Sequence, residues 1–253
     1  IDTEEALSAP NRIREGTSYS LDHFDQKTYR HQNRSSFTHR VITNVEEVAG
    51  AKQNDAKEKK DTRRIDGFNS IFAVASIPMA MKYYTEFKRQ LAERNNPLKI
   101  ATIFSFSVNE DDPEDALPDE GFETEKLDKS SRDFLDTAIA DYNNTFNVNY
   151  DTSADKFQNY YKDISLRVKN REIDLLIVVN MFLTGFDATT LNTLWVDKNL
   201  RQHGLLQAFS RTNRILNSVK TFGNIVCFRD LKQATDDAIA LFGDREAGGI
   251  VLL

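Results

Sequence analysis

A chain of 253 residues, 40% of them hydrophobic and 28% charged, is long enough to bury a substantial core and has an ordinary globular composition. Its longest apolar runs, such as LLIVV at 175–179, are far too short to cross a bilayer, which excludes a helical membrane protein. The net charge of −6 excludes a protein that coats nucleic acid through a generally basic surface, although a local basic groove stays compatible with it.

The first fifty residues have apolar residues at helical spacing, which predicts a short helical attachment over 1–50, although Gly16 weakens the first stretch. The apolar positions are Ile13, Leu21, Phe24, Phe37, Val41, Val45 and Val48. Residues 51–66, AKQNDAKEKKDTRRID, contain six Lys or Arg and no large apolar residue before Ile65. This favours a solvated charged linker over 51–67, while the basic run leaves DNA binding open as an alternative.

From residue 68 the pattern changes to short apolar runs that alternate with amphipathic helices. The runs are continuous, as expected for parallel strands covered on both faces, so we predict a doubly wound α/β domain over 68–245. The predicted strands are 70–76, 99–106, 173–179, 191–197 and 224–228, and the predicted helices are 78–94, 131–146, 153–169, 201–216 and 231–242. An acidic loop at 110–125 carries nine acidic and no basic residues.

The last predicted strand contains the only cysteine, Cys227, which we predict to be a buried core thiol. A single cysteine excludes a disulfide framework and a cysteine-based zinc site within the chain, and it fits a reducing, cytoplasmic setting. The chain starts at Ile1 and ends on the apolar GGIVLL. We therefore expect a fragment, with 246–253 as the truncated start of a further segment.

Ligands of doubly wound sheets bind at the carboxyl ends of strands, so we expect the functional site after the runs that end near Ser76, Val179, Asp197 and Phe228. The loop after Val179 contains TGFD, in which Gly185 permits a positive φ or close approach of a ligand. A carboxylate at Asp187 suits ribose hydroxyls or the orientation of an arginine. An ordinary turn with a capping aspartate is the alternative that these four residues leave open.

The helix predicted over 201–216 carries three polar side chains on one stripe. At about 100° per residue, Gln207, Arg211 and Arg214 project from the same side, with no acidic residue near them in the sequence. The opposite face carries Leu205, Phe209, Thr212 and Leu216. Two guanidiniums on one stripe suit phosphate oxygens, whereas a solvated face with water-bound arginines is the alternative.

Together these elements resemble a known family. TGFD, a strand, QAFSRTNR and a further strand, all after FNSIFAVAS, resemble the second RecA-like lobe of superfamily 2 helicases, with a G-x-D loop as motif V and Q-x-x-G-R-x-x-R as motif VI. Ser210 replaces the usual glycine of motif VI and leaves both arginines in place. The longer stretch IDLLIVVNMFLTGFDATTLNTLWVDKNLRQHGLLQAFSRTNRI, with FNSIFAVASI before it and GNIVCFRDL after it, is similar to the motor (R) subunit of type I restriction enzymes over about residues 10–253.

The resemblance implies roles for individual residues. Arg211 and Arg214 match the motif VI arginines that reach the γ-phosphate of ATP across the cleft between two lobes, with Arg214 expected as the principal arginine finger. Gln207 matches the residue that helps place these arginines and sense the nucleotide. Gly185 and Asp187 match motif V, which touches the nucleotide and couples it to DNA. Three weaker matches are expected to contact DNA: Asn180, Thr184 and Ser76.

Other catalytic machinery is missing from the sequence. No G-x-x-x-x-G-K-[ST] motif occurs, so we expect the ligands of the Mg²⁺ that accompanies ATP on a first lobe outside this chain, and no ATP hydrolysis by the chain alone. PDEGFETEK at 118–126 superficially suggests a nuclease, but Thr124 stands where its catalytic acid belongs. The four histidines show no metal-ligand spacing, and we predict no metal site.

The resemblance therefore implies an enzyme, part of a bacterial or archaeal type I site-specific deoxyribonuclease that is also a DNA-dependent ATPase. The chain is expected to be the C-terminal motor lobe of its translocase. The implied partners are double-stranded DNA, the first RecA-like lobe and nuclease domain of the same subunit, and the specificity and methyltransferase subunits, with no membrane. The alternatives are a lobe of another superfamily 2 translocase and a non-catalytic RecA-like module that binds DNA or a partner.

Overall fold

The computed structural model describes residues 3–32, 35–52, 56–104, 127–216 and 219–242. Its helices are α1 (Thr3–Leu7), α2 (Pro10–Asp22), α3 (Phe24–Lys27), α4 (Val45–Gly50), α5 (Ile77–Glu93), α6 (Lys129–Phe146), α7 (Ala154–Lys169), α8 (Gln202–Phe209) and α9 (Lys232–Phe242). Its strands are β1 (Ser36–Ile42), β2 (Lys60–Asp66), β3 (Asn69–Val74), β4 (Ile100–Ile103), β5 (Leu175–Val178), β6 (Leu191–Asp197) and β7 (Asn224–Cys227). The acidic loop at 110–125, the nuclease-like 118–126 and the segment 246–253 lie outside the described residues.

A parallel sheet in the order β4-β5-β3-β6-β7 forms the centre of the fold. Strands β3, β5 and β6 are buried along their whole length, as their continuous apolar runs predict. The connections from β3 to β4 and from β4 to β5 run in opposite directions across the sheet. Because such crossovers are right-handed, α5 and α7 cover opposite faces. The predicted α/β class, a RecA-like parallel sheet with helices on both faces, is confirmed.

Aromatic side chains fill the core on the α5 face. The ring of Phe72 on β3 lies 4.6 Å from that of Tyr83 and 5.4 Å from that of Phe87, centroid to centroid. On the other face, the buried Tyr160 hydroxyl of α7 donates to the Thr102 carbonyl of β4 at 2.8 Å. These contacts fix both helix layers to the sheet and so fix the loops between them.

The N-terminal helices pack directly on this domain. A Cβ atom on the buried Gly16 of α2 would lie 3.1 Å from the Tyr83 hydroxyl, so a glycine lets α2 approach α5 closely. At the start of the same helix, Arg12 forms two hydrogen bonds, of 2.6 and 2.7 Å, to the buried Asp197 carboxylate at the end of β6. The predicted helical attachment is therefore bound to the lobe through a buried ion pair.

The prediction of helix through Phe37 and Val41, and of a linker at 60–66, is wrong. Residues Ser36–Ile42 and Lys60–Asp66 pair as a two-stranded antiparallel sheet, which we call the β1–β2 hairpin although its strands are connected through α4. Of the helix expected after Phe24, only Val45–Gly50 is helical beyond α3. A spacing of four is even, so Phe37 and Val41 also share one face of a strand, and both are buried there. Strand β2 lacked an apolar signal because most of it is exposed. The boundaries between 1–50, 51–67 and 68–245 stay predictions.

The prediction of a buried Cys227 is also wrong. Strand β7 forms an edge of the sheet, and its residues alternate between intermediate and exposed positions, with Cys227 exposed. The apolar run thus predicted the strand correctly but not its burial, because an edge strand is less buried than a central one. Within the described part of the chain, no helix combines the length and apolar character needed to cross a membrane.

Candidate functional site

Two connections that begin at the carboxyl edge of the sheet come together beside α7. One is the loop that follows β5 and contains TGFD, and the other is α8 with its C-terminal extension, which follows β6. Both segments return toward the opposite edge of the sheet, because β6 and β7 must start there. The candidate site lies where they meet.

Helix α8 is shorter than the sequence predicts. It ends at Phe209, a single 3₁₀ turn follows at Ser210–Thr212, and Arg214 lies beyond regular helix. The Ser210 hydroxyl donates to the Gln207 carbonyl at 2.7 Å, and such side-chain bonds compete with the helical ladder. The predicted stripe of Gln207, Arg211 and Arg214 at helical spacing is therefore wrong in geometry. On the opposite face, which we expected to anchor the helix through Leu205 and Phe209, Leu205 is buried and Phe209 is partly buried against the core.

Arg211 is bound into a set of oxygen acceptors. Its guanidinium donates to the Phe186 carbonyl at 2.6 Å, to the Gln207 carbonyl at 3.0 Å and to the Ser210 hydroxyl at 3.0 Å. Burial lowers the pKa of Arg211, as does the nearby charge of Arg214. Arg211 thus joins the TGFD loop to the end of α8.

Arg214 has a different environment. Its Nε atom lies 3.1 Å from Oδ1 of Asp187, and the two side chains are 59% and 53% exposed. Asp187 is its one partner among the residues that the structure describes. The acidic partner that the local sequence lacks is therefore supplied by the TGFD loop, in the arginine-orienting role considered for this carboxylate.

The TGFD loop is shaped by one glycine and one aromatic anchor. Gly185 has a φ of +63°, which residues with a side chain rarely adopt. No atom lies within 4 Å of a Cβ built on it, so this position favours glycine for its backbone conformation and not for lack of space. The buried Phe186 packs edge-on against Phe182, with ring centroids 4.7 Å apart. This anchor holds Gly185 and Asp187 at the surface on either side of it.

An open groove of about 420 Å³ runs along this loop. One wall is the C-terminal half of α7 and the other is TGFD, with Lys169 placed 5.5 Å above the Phe186 ring. The groove is lined by Tyr161, Ser165, Lys169, Thr184, Gly185, Phe186 and Asp187. It offers hydroxyl, ammonium and carboxylate groups beside an exposed guanidinium, a set that suits phosphate oxygens and ribose hydroxyls.

Gln207 is half-buried one turn after His203, and the two side chains form a hydrogen bond of 2.7 Å between Nε2 atoms. Its carbonyl accepts from both Ser210 and Arg211. Gln207 therefore touches the arginine cluster through its backbone, while its side chain lies along α8 next to His203.

The remaining predicted positions lie at the carboxyl edge. Asn180 follows β5, and its side-chain oxygen accepts a hydrogen bond from the buried Lys198. Ser76 follows the neighbouring strand β3 and caps α5, its hydroxyl accepting from the Met79 amide at 3.4 Å. Thr184 lines the groove instead. Asn180 and Ser76 thus follow the neighbouring strands β5 and β3.

Two buried lysines that the sequence analysis missed fix the same loop at both ends. Lys198 donates to the Val179 carbonyl at 3.0 Å, and Lys220 donates to the carbonyls of Thr189 and Leu191 at 3.1 and 2.7 Å. Burial lowers the pKa of Lys220 to about 8. Neither lysine belongs to a recognisable motif, because backbone acceptors leave no sequence signature. In the described ranges, no group of three or more His, Cys, Asp or Glu side chains could hold a metal ion.

Comparison with known proteins places this geometry in context. The family model described as "Type I restriction enzyme subunit R domain 3" matches residues 66–230. The type I restriction enzyme SauCOLORF180P endonuclease subunit of Staphylococcus aureus is 46% identical over 188 residues, which are 74% of this chain and 19% of that protein. The SsaAORF53P endonuclease subunit of Staphylococcus saprophyticus is 47% identical over the same shares of both chains.

A shorter match is found in the putative type I restriction enzyme MpnIIP endonuclease subunit N-terminal part of Mycoplasma pneumoniae, 62% identical over 65 residues, or 26% of this chain and 17% of that one. The chain thus spans about a fifth of the length of the staphylococcal relatives, which are 19% covered.

Proposed function

Since the chain belongs to the type I restriction enzyme R subunit family, we propose that it forms the second RecA-like lobe of that subunit's ATP-dependent, double-stranded DNA translocase. The observation that carries this proposal is the exposed Arg214–Asp187 pair beside an Arg211 whose three guanidinium nitrogens each donate to a protein oxygen. One arginine is thus held rigidly while the next is presented to solvent. This arrangement suits the delivery of positive charge to a ligand bound by another lobe.

In the proposed mechanism Arg214 is the arginine finger. Its guanidinium stabilises negative charge on the γ-phosphate when the two lobes close, a contribution that is worth about 10³–10⁵ in rate in other phosphoryl-transfer enzymes. ATP with Mg²⁺ supplies the phosphoanhydride bond, and the Mg²⁺ ligands belong to the first lobe. Asp187 holds Arg214 in position before closure. Arg211 positions both residues through its hydrogen bond to the Phe186 carbonyl.

The DNA side of the proposed function uses the polar groups at the carboxyl edge and in the groove. Thr184, Asn180 and Ser76 are proposed DNA contacts, because hydroxyl and amide groups suit a phosphate backbone. Gly185 connects Thr184 to the aromatic anchor of the loop, and Gln207 connects α8 to Arg211. The nuclease domain and the specificity and methyltransferase subunits are the proposed partners of the complete enzyme.

A change of Asp187 to asparagine separates its two candidate roles. If Asp187 orients Arg214, the variant subunit should hydrolyse ATP with a clearly lower kcat and an unchanged KM for ATP, because the exposed ion pair of 3.1 Å is lost. If the carboxylate binds ribose hydroxyls, the KM should rise instead. Steady-state ATPase measurements in saturating DNA distinguish the two, and Asp187→Glu should partly restore kcat only in the first case.

The chain by itself should hydrolyse no ATP above the buffer rate, since no P-loop sequence occurs in its 253 residues. A phosphate-release assay with the purified chain, with and without duplex DNA, tests this expectation. The complete R subunit serves as the positive control. Robust hydrolysis by the chain alone would contradict the assignment of Mg²⁺ and β-phosphate binding to another lobe.

A further inference from the structure

The β1–β2 hairpin has one buried and one basic face. Residues paired directly across an antiparallel ladder share a face, and here Arg40 pairs with Thr62 while Arg64 pairs with Thr38. Lys60 lies on the same side, two residues before Thr62. The opposite side carries the buried Phe37 and Val41. We call the first side the outer face of the hairpin; it comprises Ser36, Thr38, Arg40, Ile42, Lys60, Thr62, Arg64 and Asp66.

The two arginines of the outer face are exposed and have no hydrogen bond or ion pair to any described residue. Lys60 is paired with Glu58 at 2.7 Å in a half-exposed contact that is easily exchanged. A strand rise of roughly 3.3 Å places Arg64 about 13 Å from Lys60, with Arg40 between them on the neighbouring strand. The outer face therefore carries an extended row of three cations with two hydroxyls between them. The row ends at Asp66, whose carboxylate accepts a hydrogen bond from the His31 amide at 2.9 Å.

This row is held rigidly against the lobe. Ile42 exchanges two hydrogen bonds of 2.8 Å with the side chain of Asn170, and His39 bonds the Lys169 carbonyl at 2.8 Å. Residue 169 ends α7, whose side chains Ser165 and Lys169 also line the groove beside TGFD. One helix end thus connects the hairpin to the proposed motor site, although the family match begins only at residue 66.

We propose that the outer face of the hairpin binds the sugar–phosphate backbone of duplex DNA without reading its sequence. This proposal rests on the proposed function, in which the enzyme moves along duplex DNA. A guanidinium without a protein partner can donate two parallel hydrogen bonds to the oxygens of one phosphate. The threonine hydroxyls can donate to phosphate oxygens as well. The 253 residues together carry a net charge of −6, so within this chain a polyanion meets favourable charge at local rows such as this one.

The test measures the affinity of the complete R subunit for a fluorescent duplex without a recognition site, by anisotropy over a salt series. The double variant Arg40→Gln/Arg64→Gln should bind about one to two orders of magnitude more weakly at low salt. Its slope of log K against log salt should fall by about one for each arginine removed. The matched control, Arg63→Gln/Arg14→Gln, removes the same charge from exposed positions outside the outer face and should bind as wild type does.

The same variants separate this proposal from the proposed function. In the ATPase assay, the outer-face variant should need more duplex for half-maximal hydrolysis and approach the wild-type rate only at saturating duplex, whereas Arg214→Ala should stay inactive at any DNA concentration. An unchanged affinity and salt slope would overturn the proposal. The cations would then serve to prevent the exposed edge strand from pairing with another chain. Weakened assembly with the methyltransferase, together with unchanged DNA affinity, would overturn it in favour of an acidic protein surface.

Discussion

Alanine in place of Arg214 should lower the DNA-stimulated kcat of the complete R subunit by about 10³-fold or more. The expected loss is large because Arg214 is proposed to stabilise charge that develops only in the transition state, in a closed site where water does not replace it. The side chain is 59% exposed and pairs only with Asp187 among the described residues, so its removal leaves no buried group unsatisfied. Binding of ATP, measured with a fluorescent analogue, should be largely retained.

Arg14→Ala is the matched control for this experiment. Arg14 is exposed to nearly the same extent, 56%, and forms a similar single ion pair of 3.2 Å, with Glu15, on helix α2. Its loss should leave both kcat and thermal stability within error of wild type, because exposed ion pairs contribute little. Turnover of the Arg214→Ala subunit at the wild-type rate would rule out the arginine finger and favour a RecA-like module that only binds DNA or a partner.

The central sheet could be predicted from the sequence because its strands are buried on both faces. Runs such as LLIVV at 175–179 are continuous and apolar, a pattern that short covered strands share and amphipathic helices do not. The hairpin escaped prediction for the opposite reason. Its apolar residues are few and four apart, a spacing that a helix face and a strand face both satisfy, and β2 is stabilised by backbone pairing that any sequence can make.

The candidate site could be named from the sequence but not assembled. Motif-like residues identified Asp187, Arg211 and Arg214, yet nothing in the sequence joined positions 187 and 214, which meet only because Phe186 anchors the loop beside α7. The different surroundings of the two arginines were also invisible. They depend on the end of α8 at Phe209 and on carbonyl acceptors, and each residue of a chain has such a carbonyl.

Replacement of Asp197 by alanine should destabilise the folded chain by about 3–5 kcal/mol, the usual cost of removing one partner from a buried ion pair. Asp197 is fully buried at the end of β6. It accepts hydrogen bonds from Arg12 at 2.6 and 2.7 Å, from Tyr83 at 2.7 Å and from Arg229 at 2.9 Å. Its removal leaves two guanidiniums with only backbone carbonyl acceptors and a buried hydroxyl without its carboxylate partner. Urea denaturation followed by circular dichroism measures the difference.

The pH dependence of this stability has a definite sign. Burial by itself would raise the pKa of Asp197, but hydrogen bonds from Arg12, Arg229 and Tyr83 outweigh burial and lower the pKa below its ordinary value. A carboxylate whose pKa is lower in the folded state contributes fully above the unfolded value of about 3.9 and loses its contribution as the pH falls through the folded pKa. The difference between wild type and Asp197→Ala should therefore be constant near neutrality and shrink below about pH 4.

Asp22→Ala provides the control, because it removes a different carboxylate that also joins α2 to the rest of the fold. Asp22 pairs with Arg94 at 2.5 Å, but the two side chains are 54% and 33% exposed, so solvent screens the pair. Its loss should cost less than about 1 kcal/mol. If both variants were equally mild, the Arg12–Asp197 contact would not hold α2 on the lobe, and the packing of Gly16 against Tyr83 would have to do so. A large effect at Asp197 alone would show that this buried carboxylate stabilises the folded chain far more than the exposed Asp22–Arg94 pair does.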